Sequence, residues 1–363
     1  MTDPAKISLS NIFRQEVMAL SAYQVPDATG MIKLDAMENP YSWPEEIKIK
    51  WLTRLKDCPL NRYPDPEARL LAATLRQLYK IPDRFEILLG NGSDEIILLL
   101  LMALPAGATV LSPEPGFVMY KQLSQTLGLN YQSIPLLKES FALDLSGMLA
   151  AIEQQQPSII FIAYPNNPTG NLFDEQAIHQ IIAAATGLVV IDEAYEPFAG
   201  ASFLDSLEQY DHLLVMRTVS KLGLAGLRLG YICGDPAIIG ELNKIRLPYN
   251  VNSLTQISAE FALSNKALFD QQTEQIRSER TRVFAQLERL NGIAAFPSAA
   301  NFILFKTPEN QATRIFDSLK QQGILIKNLS HQGGLLSDCL RVTIGKPEEN
   351  EAFFSALKNS LSD

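Results

Sequence analysis

Short, mainly apolar segments alternate along the first two thirds of the chain with longer segments whose apolar residues recur at helical spacing. The apolar segments lie at 86–89, 109–111, 158–163, 187–191, 213–216 and 229–233. A strand covered on both faces carries apolar side chains at nearly every position, so these segments predict a largely parallel sheet with helices on both sides. The pattern therefore predicts an α/β fold for this part of the chain.

The pattern changes after Pro248. A long helical stretch over 255–290 leads to short strand-like segments at 302–305, 324–326 and 340–344. Strands and helices of this kind are typical of a smaller α+β domain. We therefore predict three parts, which are an N-terminal arm that joins the small domain (1–38), a large domain (39–250) and a small C-terminal domain (251–363).

Polar side chains follow several of the predicted strands. Asn167, Asp192, Tyr195 and Lys221 all lie at or just past the carboxyl end of a strand. In open α/β sheets, ligands bind in the crevice beyond these ends. We therefore expect the four side chains to border one pocket.

Lys221 begins a loop of glycines and short apolar residues directly after a strand. An amine in such a place can attack an aldehyde and form a Schiff base once burial or nearby cations lower its pKa. Arg228, at the end of the same loop, could clamp a phosphate with its planar fork of donors. A solvated lysine in a surface loop is the alternative interpretation.

A second candidate phosphate site is the turn over 90–95, between a strand and an apolar helix. It contains two glycines followed by Ser93 and Asp94, which we interpret as the helix cap. Free N–H groups at a helix N-terminus and the helix dipole attract an anion. Asp94 and Glu95 would also stabilise the dipole without any ligand, so that alternative stays open.

Tyr63 lies in the loop 61–66, which contains two prolines. The prolines favour an extended, stiff backbone around the tyrosine. A tyrosine packed beneath the loop explains this segment without any ligand, and the local sequence does not decide the matter.

Composition narrows the class of protein. The net charge of −9 argues against a nucleic-acid surface. Cys58, Cys233 and Cys339 lack paired spacing and the histidines lack ligand spacing, so we expect reduced thiols and no metal site. Residues 1–13 lack a signal-peptide pattern, and the apolar run 96–104 is about half of the ~20 residues that a membrane span needs. We expect a cytoplasmic protein without a membrane partner.

Six motifs occur in an order that resembles the fold type I pyridoxal-phosphate (PLP) aminotransferases, the aspartate-aminotransferase-like superfamily. They are Arg62-Tyr63-Pro64, Gly92-Ser93-Asp94, Asn166-Asn167-Pro168-Thr169-Gly170, Asp192-Glu193-Ala194-Tyr195, Ser220-Lys221 with Arg228, and Cys339-Leu340-Arg341-Val342. The resemblance implies a large domain with a mostly parallel seven-stranded sheet covered by helices, and a smaller α+β domain. It also implies a homodimer with a shared active site.

The resemblance further implies a role for each matching residue. Lys221 would hold PLP as a Schiff base and carry the proton of the 1,3-shift, while Asp192 would pair with the pyridine nitrogen, because a protonated ring draws off charge. Tyr195 and Asn167 would donate to the ring oxygen, and Phe117 would stack on the ring. The cofactor phosphate would be held by Gly92, Ser93, Asp94, Thr218, Ser220 and Arg228, with Tyr63 from the neighbouring subunit.

Within the superfamily, the motifs are most similar to the group that transaminates L-histidinol phosphate with 2-oxoglutarate in histidine biosynthesis. This similarity implies substrate contacts from Tyr23, Asn167, Lys327 and Arg341. Members of the group usually have an arginine where this chain has Lys327. Arg341 could instead pair with an acidic surface neighbour.

Other activities remain open at this point. A threonine-phosphate decarboxylase-like enzyme and an aromatic or branched-chain aminotransferase share parts of the pattern. A ligand-sensing regulator with the same fold would need an appended DNA-binding region, for which this chain leaves no space.

Overall fold

The computed structural model describes residues 9–22 and 25–362. The strands are β1 (Ile32–Lys33), β2 (Glu86–Gly90), β3 (Thr109–Glu114), β4 (Asn130–Pro135), β5 (Ile159–Ala163), β6 (Leu188–Asp192), β7 (Leu213–Thr218), β8 (Gly230–Gly234), β9 (Ala294–Ala295), β10 (Phe302–Lys306), β11 (Ile324–Leu325), β12 (Lys327–Asn328) and β13 (Cys339–Thr343). The helices are α1 (Gln15–Met18), α2 (Glu45–Leu55), α3 (Arg69–Tyr79), α4 (Ser93–Met102), α5 (Val118–Thr126), α6 (Leu145–Gln155), α7 (Glu175–Ala184), α8 (Glu196–Ala199), α9 (Pro236–Ile245), α10 (Ser253–Ser264), α11 (Lys266–Leu287), α12 (Ala312–Gln321) and α13 (Pro347–Ser362).

A seven-stranded sheet in the order β2-β8-β7-β6-β5-β3-β4 forms the centre of the large part of the molecule. Strands β7, β6, β5, β3 and β4 are parallel to one another, and β8 is antiparallel to both β2 and β7. The predicted fold class, with a mostly parallel seven-stranded sheet, is therefore confirmed. All five parallel strands end at the same edge, which is where the sequence placed the candidate site.

The continuous apolar runs follow from two cores, one on each face of the sheet. In β5, Ile160 and Ile162 belong to the core that contains α3, α6 and α7, while Ile159 and Phe161 belong to the core that contains α4, α5 and α9. Alternate side chains of a strand point to opposite faces. Because both faces are covered, every position of β5 is buried.

The C-terminal part contains a four-stranded antiparallel sheet in the order β12-β13-β10-β9. Its core also takes in apolar side chains of α12, α13 and the second half of α11. Strand β1 pairs in parallel with β11, which ties the residues before 39 to this part of the molecule.

The helical stretch that we predicted over 255–290 is two helices, and this prediction was wrong in detail. The chain breaks at Asn265, between α10 and α11. Apolar side chains of α10 belong to the core of the large sheet, and α10 packs against α2 and α3.

The domain bounds after residues 38 and 250 stay a prediction. Across the described ranges, no helix combines the length and apolarity needed to cross a bilayer.

Candidate active site

A cavity of about 360 Å³ opens at the carboxyl ends of β5, β6 and β7. It also takes in the start of α4 and the segment 36–38. Ten of the residues that the sequence singled out line it, and they are Ser93, Asp94, Phe117, Asn167, Asp192, Tyr195, Thr218, Ser220, Lys221 and Arg228. The structure therefore brings most of the candidate residues together around one space.

Lys221 places its amine inside this cavity. The chain makes a wide, π-type helical turn over Ser220–Leu224, interrupted at Gly223, where φ is +125°. The Nζ atom donates to the carbonyl of Ala36 at 3.3 Å and lies 5.7 Å from the centre of the Tyr195 ring. Burial lowers the pKa of this amine from 10.5 to about 8, and the charge of Arg341 acts in the same direction. The amine is therefore suited to act as a nucleophile and as a proton carrier.

Asp192 is the last residue of β6 and is only 3% exposed. One carboxylate oxygen, Oδ2, accepts from the Tyr120 hydroxyl at 2.7 Å, and the other accepts from the Ala194 N–H at 3.1 Å. Burial raises the pKa of the Asp192 carboxyl from 3.8 to about 6, and both hydrogen bonds oppose that rise. A buried carboxylate of this kind gains most from a cationic partner in the cavity, such as a protonated ring nitrogen.

The opposite end of the cavity is suited to an anion. Helix α4 begins at Ser93, with Gly92 as its N-cap and without a side-chain cap. The first N–H groups of a helix have no acceptor within the helix, so they can donate to a ligand. The Arg228 guanidinium lies beside them and donates to Asp94 at 3.0 Å.

The predicted capping role of Ser93 and Asp94 was wrong. Ser93 is already inside the helix, and the Asp94 carboxylate pairs with Arg228 instead. Gly92 takes the N-cap position with φ of +85°, and a Cβ atom there would lie 2.7 Å from the Arg228 guanidinium. Only glycine satisfies both the backbone conformation and the close approach.

Two hydroxyl groups complete the same end of the cavity. The Thr218 and Ser220 side-chain oxygens lie 2.9 Å apart, and the Ser220 N–H donates to Thr218 at 3.1 Å. Both side chains are buried where β7 passes into the lysine turn. They add hydroxyl donors to the N–H groups of α4 and the Arg228 guanidinium, which is a typical set for a phosphate.

Tyr195, Asn167 and Arg341 form one hydrogen-bond network. The Asn167 amide donates to the Tyr195 hydroxyl at 3.1 Å, and Arg341 donates to the Asn167 carbonyl oxygen at 2.5 Å. Arg341 also donates to the main-chain carbonyl of Asp35 at 3.1 Å and lies over the ring of Phe302. With 6% of its surface exposed, Arg341 is not a surface residue, so pairing with an acidic surface neighbour does not describe it.

The segment 35–38 contacts the site through its main chain. The carbonyls of Asp35 and Ala36 accept from Arg341 and Lys221, as described above. The Met37 N–H donates to the Thr343 hydroxyl at 2.9 Å, and the Met37 carbonyl accepts from the Asn301 amide at 2.9 Å. These residues were not among the predicted site residues, because main-chain contacts leave no side-chain motif in the sequence.

Three further predicted residues are not among those that line the cavity. Tyr63 is 79% exposed and stacks on Tyr249, with ring centres 4.4 Å apart. Within the described ranges, the cavity wall does not include Lys327, which faces Arg341 across the β12–β13 pair. Opposed residues of an antiparallel pair project to the same face, so Lys327 adds a second cation beside Arg341. Tyr23 lies outside the described residues.

Sequence reasoning missed Tyr120, whose hydroxyl contacts Asp192. The position of Tyr120, three residues after Phe117, could have indicated that it lies near the site, because residues three apart at the start of a helix share a face. The rings of Phe117 and Tyr120 meet edge to face with centres 5.5 Å apart.

The residues present fit PLP. Asp192 is a buried carboxylate for a ring nitrogen, the start of α4 with Arg228 can hold a phosphate, and the Lys221 amine opens into the same cavity. The volume suits a small, largely enclosed ligand.

Comparison with known proteins also supports an aminotransferase. A family model described as aminotransferase class I and II matches residues 29–357. Histidinol-phosphate aminotransferase 2 of Nitrosococcus oceani is 56% identical over 346 residues, covering 95% of this chain and 96% of the relative. Histidinol-phosphate aminotransferase 2 of Cupriavidus pinatubonensis is 49% identical over 369 residues and 100% of both chains.

A solved structure has the same fold. Histidinol-phosphate aminotransferase from Sinorhizobium meliloti, in complex with pyridoxal-5'-phosphate, superposes with a TM-score of 0.86. The match covers 98% of this chain and 99% of that chain at 24% identity. At 24% identity, this structural similarity supports the fold and nothing further.

Proposed function

The chain belongs to the class I and II aminotransferase family, and from this premise we propose that it transfers the amino group of L-histidinol phosphate to 2-oxoglutarate with PLP as cofactor. The products are imidazole acetol phosphate and L-glutamate, in histidine biosynthesis. The main support for this proposal is the high sequence identity, over nearly the full length, to relatives that are named histidinol-phosphate aminotransferases. The unpaired thiols of Cys58, Cys233 and Cys339 support a cytoplasmic location.

The cavity residues support this chemistry. PLP, when bound, supplies an electron sink for the charge left on the substrate carbon. We propose that the Lys221 Nζ holds the cofactor and then moves the proton between the two substrate positions. Asp192 would keep the ring nitrogen of bound PLP protonated, and Phe117 would supply an aromatic face for the ring. Burial raises the pKa of the Tyr195 hydroxyl, so this hydroxyl stays protonated and can donate to the ring oxygen.

The same network supports recognition of both substrates. L-Histidinol phosphate and 2-oxoglutarate each carry an anionic tail. Arg341 offers a planar fork that fits either a phosphate or a carboxylate, and Lys327 lies on the same face of the small sheet. We propose that Arg341 anchors both tails, that Lys327 acts mainly on the phosphate, and that Tyr23 assists from the arm.

We expect unphosphorylated histidinol to be a much poorer substrate than histidinol phosphate. Leaving charged donors unpaired in a closed site costs about 2–4 kcal/mol, or about 30- to 1000-fold in kcat/KM. The measurement is kcat/KM for both amines with 2-oxoglutarate, with glutamate as the detected product. Equal values for the two amines would contradict the proposed substrate and favour a general aromatic aminotransferase.

Two variants serve as controls that locate the anion site. Arg341→Ala should raise KM for both histidinol phosphate and 2-oxoglutarate. Lys327→Ala should raise KM mainly for histidinol phosphate and leave histidinol unchanged. If Lys327→Ala weakens both amines equally, Lys327 does not contact the phosphate.

We also propose that the active enzyme is a homodimer with a shared site. Tyr63 and Tyr249 stack on each other at the surface, and each has an exposed leucine nearby in the sequence, Leu60 and Leu247. Exposed aromatic and aliphatic side chains in one region are typical of an interface. A second copy would cover them and let Tyr63 reach the partner's cofactor phosphate.

Mixing two impaired variants should restore activity. In a hybrid of Tyr63→Phe and Lys221→Ala subunits, one of the two sites receives both natural residues. With random exchange at equal amounts, about a quarter of all sites should recover. The measurement is turnover before and after mixing, with subunit exchange verified by mass spectrometry. Absence of recovery after verified exchange, with Tyr63→Phe alone strongly impaired, would argue against the shared site.

A further inference from the structure

The Tyr120 hydroxyl is aimed at one oxygen of Asp192, and its ring is fixed by packing. Tyr120 is 1% exposed and stacks on Phe161 with ring centres 4.6 Å apart and planes 12° from parallel. Phe117 meets the same ring edge to face. Because aromatic contacts hold the ring on two sides, the hydroxyl has a defined position 2.7 Å from Oδ2.

We propose that Tyr120 is a positioning residue for transamination, which keeps Asp192 ionised and oriented and so holds the proton on the ring nitrogen of PLP. This inference rests on the proposed function, since it concerns the partner of the cofactor ring. It adds a residue outside the cavity wall to the catalytic arrangement. Tyr120 acts through Asp192 and does not itself touch the reacting atoms.

The charges around Asp192 make this donor necessary. Burial is the main cause that raises the Asp192 pKa to about 6, and the nearby carboxylates of Asp94 and Glu193 act in the same direction. The Tyr195 hydroxyl lies within electrostatic range of Asp192, and burial raises the pKa of this hydroxyl, so it stays neutral. Against these groups, the Tyr120 hydroxyl gives the largest opposing contribution to the carboxylate.

The two acidic neighbours are themselves paired, so they cannot take over this role. Glu193 forms a buried ion pair with Arg217 at 2.7 Å, and Asp94 pairs with Arg228 at 3.0 Å. Burial also raises the pKa of the Tyr120 hydroxyl well above 10, so it remains a donor at every physiological pH. Without this donor, the Asp192 pKa should rise further, and a protonated carboxyl group cannot balance a charged ring.

The test is Tyr120→Phe in the holoenzyme, loaded with PLP that carries ¹⁵N in the ring. Phenylalanine keeps both ring contacts and removes only the hydroxyl. We expect the ¹⁵N signal to move toward that of an unprotonated ring, and the acid limb of the kcat–pH profile to move to higher pH. A hydrogen bond to a charged group is worth enough to lower kcat by about 10- to 100-fold.

Tyr231→Phe is the matched control. Its hydroxyl is also buried, and within the described part of the chain it has no hydrogen-bond partner. The ¹⁵N signal and the acid limb should therefore match the natural enzyme. A change as large as that of Tyr120→Phe would overturn the inference, because any buried hydroxyl would then have the same effect.

A second variant keeps the test decisive if Tyr120→Phe folds poorly. Replacing Tyr120 with 3-fluorotyrosine makes the hydroxyl a stronger donor, so the acid limb should move to lower pH. An unchanged ¹⁵N signal and an unchanged acid limb in each variant that folds would overturn the inference. If the natural protein does not retain PLP on Lys221 at all, the proposed function fails instead, so the two failures are distinguishable.

Discussion

Lys221→Ala should abolish turnover and leave a folded protein that holds PLP only by noncovalent contacts. The Nζ of Lys221 lies in the cavity, where burial lowers its pKa to about 8, so its removal takes away both the proposed covalent anchor and the proposed proton carrier. Loss of these two roles should reduce kcat by about 10⁴-fold or more. The covalent contact is measured by borohydride reduction of the natural enzyme followed by peptide mapping, which should place the adduct on Lys221.

Lys33→Ala provides the matched control. The Lys33 amine pairs with Asp35 and with Glu38, which lines the cavity, so it is a lysine close to the site without a proposed catalytic role. This variant should keep the adduct on Lys221 and keep most of the turnover. An adduct on any lysine other than Lys221 in the natural enzyme would refute the assignment.

Asp192→Asn should lower kcat by about 10³-fold or more while the protein still folds. The amide has the same size as the carboxyl group, and its one oxygen can still accept from the Ala194 N–H while its NH2 group faces the Tyr120 hydroxyl, whose oxygen can accept. It lacks the negative charge that we propose balances the ring nitrogen, so the ring should become a poor electron sink. A charge aimed at the reacting group in a dry site is worth several kcal/mol. The measurements are kcat and the far-UV circular dichroism spectrum.

Asp235→Asn separates this effect from a general effect of removing a carboxylate. Asp235 directly follows β8 and accepts from the Ala237 N–H at 2.7 Å, much as Asp192 accepts from Ala194 at the end of β6. It caps α9 away from the cavity, so kcat should change by less than about 3-fold. Near-natural activity of Asp192→Asn would mean that Asp192 serves only as a cap of its strand.

The sequence was sufficient for the central sheet because burial on both faces leaves a strong local signal. In β5, every side chain is buried in one of the two cores, so the sequence of this strand is an unbroken run of apolar residues. The same logic located the site, since parallel strands end at one edge and the polar residues after them must gather there. Asn167, Asp192 and Lys221 were found in this way without any knowledge of distance.

Contacts between distant parts of the chain could not be predicted in the same way. Arg341 and Asn167 are 174 positions apart, and nothing in either local pattern indicates that they meet. Helix α4 has Gly92 as its N-cap, and Asp94 inside the first turn pairs with Arg228 from a distant segment, so local propensity predicted the wrong cap. The break at Asn265 likewise lies inside a continuous helical pattern. These features depend on tertiary packing, which overrides local preference.

The main-chain contacts of segment 35–38 have an evolutionary consequence. A carbonyl group is the same in every amino acid, so mutation of Ala36 leaves the acceptor for Lys221 in place. Position 37 is more restricted, because Met37 has φ of +54° and uses its N–H, which favours asparagine or glycine and excludes proline. Natural or laboratory selection can therefore vary the side chain in the pocket wall at position 36 while the Lys221 amine keeps its carbonyl acceptor.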